Sequence, residues 1–325
     1  MTVIEKQGDV SGAKPVITGC LVQGRAVPNF FIVGAPKCAT TAMDTYLAQH
    51  PQIFMSPAKE PHHFAKDLYH GAMECPAERY FGFFKDVSDE PVVGESSVFY
   101  LLSKTAAAAI RAYQPDAKIL IMLRDPIEVI ASHHSQIVYE AFEQETDLET
   151  ALALENERKA NFNEARADYR ERVLHYRDVV AFSEQIERFF EHFPREQIHI
   201  VFYEDVRADL AGTYRGILNF LGVDPEFHPN FQVENANKRA RSAKITNFLR
   251  YTPDWVSAFS RLLLPKREWR VAVKDRIKRF NTQFQPRPPM PDHVHNQLAA
   301  DLALEVEKLG ALLGRDLSHW CKPRS

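Results

Sequence analysis

The chain has 325 residues, with 40 Lys and Arg against 43 Asp and Glu, for a formal net charge of −3. Hydrophobic residues make up 45% and charged residues 26%, the composition of a globular protein that can build a large core without disulfide or metal staples. Near neutrality excludes a bulk polyanion binder and leaves room for a local basic cleft. Length alone suggests about two domains, although α/β enzymes often use one large domain in this range. Cys20, Cys38, Cys75 and Cys321 are scattered without CxxC spacing or paired histidines, so no zinc site or disulfide framework is expected and no metal ligand is assigned. The first 23 residues lack an apolar run of signal-peptide length, and no later stretch approaches the ~18 apolar residues needed to cross a bilayer. A soluble, cytoplasmic protein is the expectation.

The first apolar run, Phe30 to Val33, leads into Gly34-Ala35-Pro36-Lys37-Cys38-Ala39-Thr40-Thr41 and then into a segment with Ala42, Tyr46 and Leu47 at helical spacing, ending at His50-Pro51. This reads as strand, tight loop, helix. Further strands are expected at Pro91 to Gly94, Lys118 to Leu123 and Gln197 to Tyr203. The last two are near-continuous apolar runs, suited to a parallel sheet buried on both faces. Helical patterns at Ser103 to Tyr113, Ile127 to Phe142, Arg170 to Phe193 and Asp209 to Leu221 separate them, the last ended by Gly222. The alternation predicts an α/β fold of three layers, a central parallel sheet flanked by helices. From Glu226 to Pro291 the pattern loosens into aromatic, basic and Pro-rich sequence, and a final helix follows over Asp292 to Leu313.

The loop from Gly34 to Thr41 carries the most chemistry. A loop between a parallel strand and a helix turns free backbone N–H groups toward the positive end of the helix dipole, which suits an anion. Lys37 adds a full charge, and Thr40 and Thr41 add hydroxyl donors. An ordinary βα turn with a solvated lysine and a Thr cap has the same composition, so the loop alone decides little. It is not a Walker A loop, because the lysine precedes the small residue and the Thr pair. The strand KILIML runs into Arg124-Asp125-Pro126 rather than ending on an Asp for magnesium, which argues against a kinase or NTP hydrolase.

The segment resembles the sulfotransferase family that uses 3′-phosphoadenosine-5′-phosphosulfate (PAPS). That family's 5′-phosphosulfate loop reads P-K-x-G-T-[ST], and Pro36 to Thr41 is P-K-C-A-T-T. Its 3′-phosphate signature, an Arg ending a strand with a Ser one or two helical turns on, is matched by Arg124 and Ser132 in IMLRDPIEVIASHH. Lys59 to Phe64 is similar to the family's K-E-P-H-F-F, Gly94 to Ser97 to its G-E-K-S, and Leu312 to Trp320 to the terminus of bacterial and heparan-type members. The motifs run in family order from about residue 28 to 320.

The resemblance implies a P-loop-like fold, with residues 1–27 as an N-terminal extension, 28–325 as one sulfotransferase domain, and 226–290 as an irregular cap on the acceptor side. It implies metal-independent, in-line transfer of a sulfuryl group from PAPS to a hydroxyl or amine of a glycan, glycolipid or secondary-metabolite acceptor, with a protein general base. Lys37, Cys38, Ala39, Thr40 and Thr41 would hold the 5′-phosphate and the leaving oxygen. Arg124 and Ser132 would hold the 3′-phosphate, and Arg241 and Ser242, in the basic stretch NANKRARSAK, would close over the nucleotide. Glu60 occupies the general-base position of the heparan-type branch, and partial burial among Pro61, His62 and Phe64 would suit it to proton transfer. His62 and His63 are alternative bases, since other branches use histidine, and Glu95 could orient a lysine or the base. The order of preference is Glu60, His62, Glu95.

Two departures stand out. Ala39 replaces the family's usual Gly, so the loop must avoid positive φ there or tolerate mild strain. Ser96 replaces a lysine common in the glycan-sulfating branch. They prompt the alternative of a nucleotide-binding sensor or partner module without catalysis. The segment Arg261 to Arg279 holds eight Lys and Arg against Glu268 and Asp275, with Leu262 to Leu264, Trp269 and Ile277 interleaved. Three roles fit it: an acceptor-binding cap, a peripheral membrane contact for a lipid acceptor, or a basic solvent-facing helix. No nucleic-acid partner is expected, and the oligomeric state is left open.

Overall fold

The computed structural model describes residues 28–163, 168–231, 267–284 and 289–324, with shorter stretches at 21–22, 25–26, 238–240 and 287. Its main sheet has five parallel strands: β1 Phe30–Gly34, β2 Ile53–Met55, β3 Val92–Ser96, β4 Lys118–Leu123 and β5 Ile198–Phe202. Their order is β2-β3-β1-β4-β5. The larger helices are α1 Thr40–Leu47, α2 Ala106–Tyr113, α3 Pro126–Tyr139, α4 Phe182–His192, α5 Leu210–Leu221, α6 Arg267–Asn281 and α7 Asp292–Leu313. This is the expected three-layer α/β fold.

Phe30 to Val33 and Ile119 to Leu123 are wholly buried, which is why both read as unbroken apolar runs. The chain leaves β1 toward β2 on one side and leaves β4 toward β5 on the other, so the loops diverge above the β1/β4 pair. A crevice opens there, at the carboxyl ends of the strands, where open α/β sheets bind ligands. Gly34 closes β1 under tight packing: a Cβ there would lie 2.6 Å from Leu101 Cβ and 2.9 Å from the Val98 carbonyl oxygen.

The structure departs from the sequence reading in four places. Strand β5, expected to be buried on both faces, lies at the edge of the sheet, with Ile198, His199 and Ile200 only partly buried. Edge strand β2 is too short to display a period of two. The stretch Arg170 to Phe193 is broken into turns at Tyr169–Arg172 and Tyr176–Val179 before α4 begins at Phe182. Val173, Tyr176, Val180 and Phe182 are all buried, and one straight helix would put Val173 and Phe182 on opposite faces. The breaks are held from outside: Arg177 N donates to Glu155 Oε1 at 3.1 Å and Ser183 N to Glu305 Oε1 at 2.7 Å. Within 226–290, expected to be irregular, α6 forms a 15-residue helix and Thr282–Phe284 pairs antiparallel with Lys238–Ala240. Among the described residues no helix is long and apolar enough to cross a membrane.

α3, which forms one wall of the crevice, starts at a built cap. Asp125 Oδ1 accepts from Ile127 N at 2.8 Å and Glu128 N at 3.5 Å, and Pro126 supplies the preset first-turn φ. Replacing Asp125 with Ala is expected to lower unfolding free energy by about 1 kcal/mol, read from urea midpoints at neutral pH.

Candidate active site

A cleft of about 730 Å³ lies above the β1/β4 junction. Its floor is the β1–α1 loop, where Pro36, Lys37, Ala39, Thr40 and Thr41 line the space. Lys37 and Ala39 both take left-handed backbone angles, with φ of 67° and 65°. The loop therefore tolerates strain at Ala39 rather than avoiding positive φ. No side chain caps α1, so its first-turn N–H groups face the loop without a side-chain acceptor. Cys38 turns the other way: it is fully buried, its Sγ donates to the Pro36 carbonyl at 3.4 Å, and burial pushes its thiol up to about 12. Its side chain is thus an inert packing group, and only its backbone belongs to the loop.

Arg124, directly after β4, meets this floor. Its Nη1 donates to the Lys37 carbonyl oxygen at 3.3 Å, its Nη2 to Glu128 Oε2 at 3.3 Å, and its guanidinium stands 4.6 Å from the centre of the Tyr203 ring. Ser132 lines the same cleft two helical turns along α3. The loop and the arginine, separated by more than eighty residues of chain, are thereby brought to one site.

The opposite wall carries Glu60 and His62, both at positive φ, 59° and 52°. Glu60 Oε2 accepts from Val98 N at 2.9 Å and lies 3.3 Å from His62 Nε2, while Oε1 accepts from Lys59 Nζ at 3.0 Å. His62 is buried, stacked on Tyr69 at 4.0 Å between ring centres, and its Nδ1 has no hydrogen-bond partner. Burial holds its imidazole down at about 4 against the pull of Glu60, so the neutral ring presents Nε2–H to the carboxylate. Glu95 does not reach the cleft. It is completely buried behind His62, accepts from Ser97 Oγ at 2.9 Å, and Ser97 Oγ accepts from His62 N at 3.0 Å. Burial pushes Glu95 up to about 7. His63 also faces away, bonded through Nδ1 to the Cys75 carbonyl at 2.7 Å and stacked on Tyr80. Arg241 and Ser242 lie outside the described residues.

Sequence reasoning missed several lining groups. Lys37 Nζ donates to Gln136 Oε1 at 3.3 Å, and Gln136 Nε2 to Glu140 Oε1 at 2.6 Å. Ser132, Gln136 and Glu140 recur every four residues, so a helical stripe drawn through Ser132 would have found them, and Glu128, one turn earlier, pairs with the lining arginines Arg124 and Arg287. Tyr69, Tyr169, Tyr203 and Arg287 also line the cleft. Arg287 arrives from a Pro-rich loop and donates to Glu128 Oε2 at 3.0 Å, and no local pattern announces it.

Two measurements follow from this geometry. Ala39→Gly should raise stability by roughly 0.5 kcal/mol, the left-handed penalty of Ala less the added chain entropy of Gly, and a comparable loss in urea midpoint would contradict the assigned conformation. His62 stays neutral in the fold to about pH 4, whereas an unfolded histidine titrates near 6.5. Stability should therefore fall as pH drops from about 6.5 to 4, a window shared with His133, likewise held down by burial. In His62→Phe the slope of unfolding free energy across that window should be shallower by up to about 1.4 kcal/mol per pH unit.

A family model described as the sulfotransferase domain matches residues 27–252. The crystal structure of a sulfotransferase from Alicyclobacillus acidocaldarius superposes with a TM-score of 0.67 at 29% identity, covering 91% of this chain and all of that one. The membrane-associated sulfotransferase kil1 of Dictyostelium discoideum is 31% identical over 119 residues, 36% of this chain and 25% of its own length. Mouse heparan sulfate glucosamine 3-O-sulfotransferase 3A1 is 23% identical over 220 residues, 66% of this chain and 51% of its own. The chain thus spans between a quarter and about half the length of these curated relatives. The parallel sheet flanked by helices is the P-loop-like α/β fold of sulfotransferases, and the chain belongs to the sulfotransferase family.

Proposed function

We propose that this sulfotransferase takes PAPS as its donor and an alcohol or amine on a glycan, glycolipid or secondary metabolite as its acceptor, with Glu60 as general base. The observation that carries the reading is the meeting, in one cleft, of Lys37, the uncapped start of α1, Arg124 and Glu60. The residues suit a nucleotide with phosphates at both ends: an amide-lined loop with a lysine on one side, and an arginine fork with a serine on the other. When bound, such a donor supplies a sulfuryl group on a phosphate leaving group.

The chain's own groups then have distinct tasks. Lys37 and the amides of the loop meet the negative charge that builds on the departing phosphate oxygen. Arg124 and Ser132 anchor the far phosphate and so fix the line of attack. Glu60 accepts the acceptor proton on its carboxylate. The Val98 N–H and the neutral His62 Nε2–H fix its orientation, and the Lys59 ammonium stabilises its charge. This favours Glu60 over His62 as the base, because a buried imidazole held neutral against a carboxylate is an orienting donor. Glu95, acting through Ser97 and the His62 backbone, braces the same loop. A hydroxyl acceptor is supported by the mouse relative, which is a heparan sulfate 3-O-sulfotransferase.

Adenosine 3′,5′-bisphosphate should raise the melting temperature, equivalent to about 2.7 kcal/mol at a hundredfold excess over Kd. Lys37→Ala and Arg124→Ala should each remove most of that shift. Glu60→Gln should keep it while lowering kcat for sulfate transfer by about 10²–10⁴-fold. Unchanged kcat in that variant would dismiss Glu60 as the base, and no melting shift in the wild type would dismiss the donor.

A further inference from the structure

The helix α6 places its large apolar side chains outward. Trp269, Val273, Ile277 and Phe280 recur at spacings of four, four and three, which puts them on one face within about a quarter turn. Trp269 is 50% and Phe280 70% exposed, and Val273 and Ile277 are exposed beside them. Along the same 15 residues the sequence carries six Lys and Arg, at 267, 270, 274, 276, 278 and 279, against Glu268 and Asp275. At helical spacing Arg270 and Arg276 flank the apolar face on its two sides.

We infer that α6 docks on an anionic membrane surface, its Trp–Val–Ile–Phe face sunk among the headgroups and its basic flanks against lipid phosphates. Large aromatic side chains facing water are costly for a soluble surface, and low overall hydrophobicity with cationic flanks distinguishes an interfacial helix from a spanning one. The charge complementarity is with an anionic bilayer, which binds basic side chains in parallel with apolar insertion. The helix is tied to the cleft. It ends at buried Asn281, and Thr282 Oγ1 and Tyr139 Oη share a hydrogen bond of 2.8 Å at the end of α3. Five residues further, Arg287 lines the cleft wall. Docking would therefore bring acceptors embedded in or attached to the membrane beside the site. The membrane contact itself does not depend on the identity of the donor.

Flotation with phosphatidylcholine vesicles and with mixed phosphatidylcholine–phosphatidylglycerol vesicles tests this on the full chain. The wild type should partition onto the mixed vesicles at least roughly tenfold better than onto the neutral ones. Both Trp269→Ser/Phe280→Ser and Arg270→Gln/Lys274→Gln/Arg276→Gln should lose roughly tenfold or more, compared at a temperature where circular dichroism shows each variant folded. Brominated lipid should quench fluorescence in the wild type and less so in Trp269→Phe. Absence of vesicle binding overturns the proposal. So does equal binding by the Trp269/Phe280 variant, which would mark a plain polyanion patch. A wild-type dimer that the same variant dissolves would overturn it too, by making the face a subunit interface.

Discussion

The pairing of β1 with β4 governs where each group of the cleft ends up. Both strands are buried along their length, and their register sets Phe31 beside Ile119 and Ile32 beside Leu120. The ladder shifts after Ile32 and runs on into the loop, where Ala35 N donates to the Met122 carbonyl at 2.7 Å. The chain then leaves the sheet on one side as the loop from Gly34 to Thr41 and on the other as Arg124. Buried apolar strands cannot slide without exposing side chains or stranding backbone polar groups, so the core fixes the distance between two polar groups remote in sequence. The second pairing, β1 with β3, does the same for the opposite wall. Glu60 N donates to the carbonyl of Ser96, the last residue of β3, at 2.9 Å, which ties the 59–62 segment to that strand end.

Much of this was legible in the residues. KILIML and FFIV announce central strands because their burial on both faces removes any alternation, and the loop after FFIV announces a donor-rich turn, which forms the floor of the cleft. The rest depended on tertiary context. Ile53–Met55 is too short to carry a pattern. The Arg170 to Phe193 stretch is apolar enough for a helix, yet its breaks are imposed by Glu155 and Glu305, whose positions no local window reveals. In the site, Lys37, Arg124 and Glu60 were readable because chemistry is concentrated in them. Glu95 was readable as a residue but not as a buried brace. Arg287 comes from a loop whose prolines describe a turn and not its destination.

Ser96 shows how a local departure is absorbed. Where a lysine would have supplied a cation, Lys59 Nζ reaches Ser96 Oγ at 2.8 Å and Glu60 Oε1 at 3.0 Å. One positive charge, that of Lys59, thus sits beside the carboxylate, and the hydroxyl of Ser96 accepts from it where a lysine would have added a second. Ala39 is absorbed differently, by accepting a left-handed backbone angle. With both departures in place, Lys37, Arg124 and Glu60 still line one cleft.

Glu128 carries a consequence of its own. One carboxylate answers three guanidiniums: Arg124 at 3.3 Å, Arg287 at 3.0 Å and Arg324 at 3.5 Å. Two of these line the cleft, and the third belongs to the last residues of the chain. Counted by these contacts, three positive charges share one negative charge. The group is assembled from segments some two hundred residues apart, so Arg324, which is not among the residues that line the cleft, still competes for the carboxylate that holds Arg124 and Arg287 in its wall.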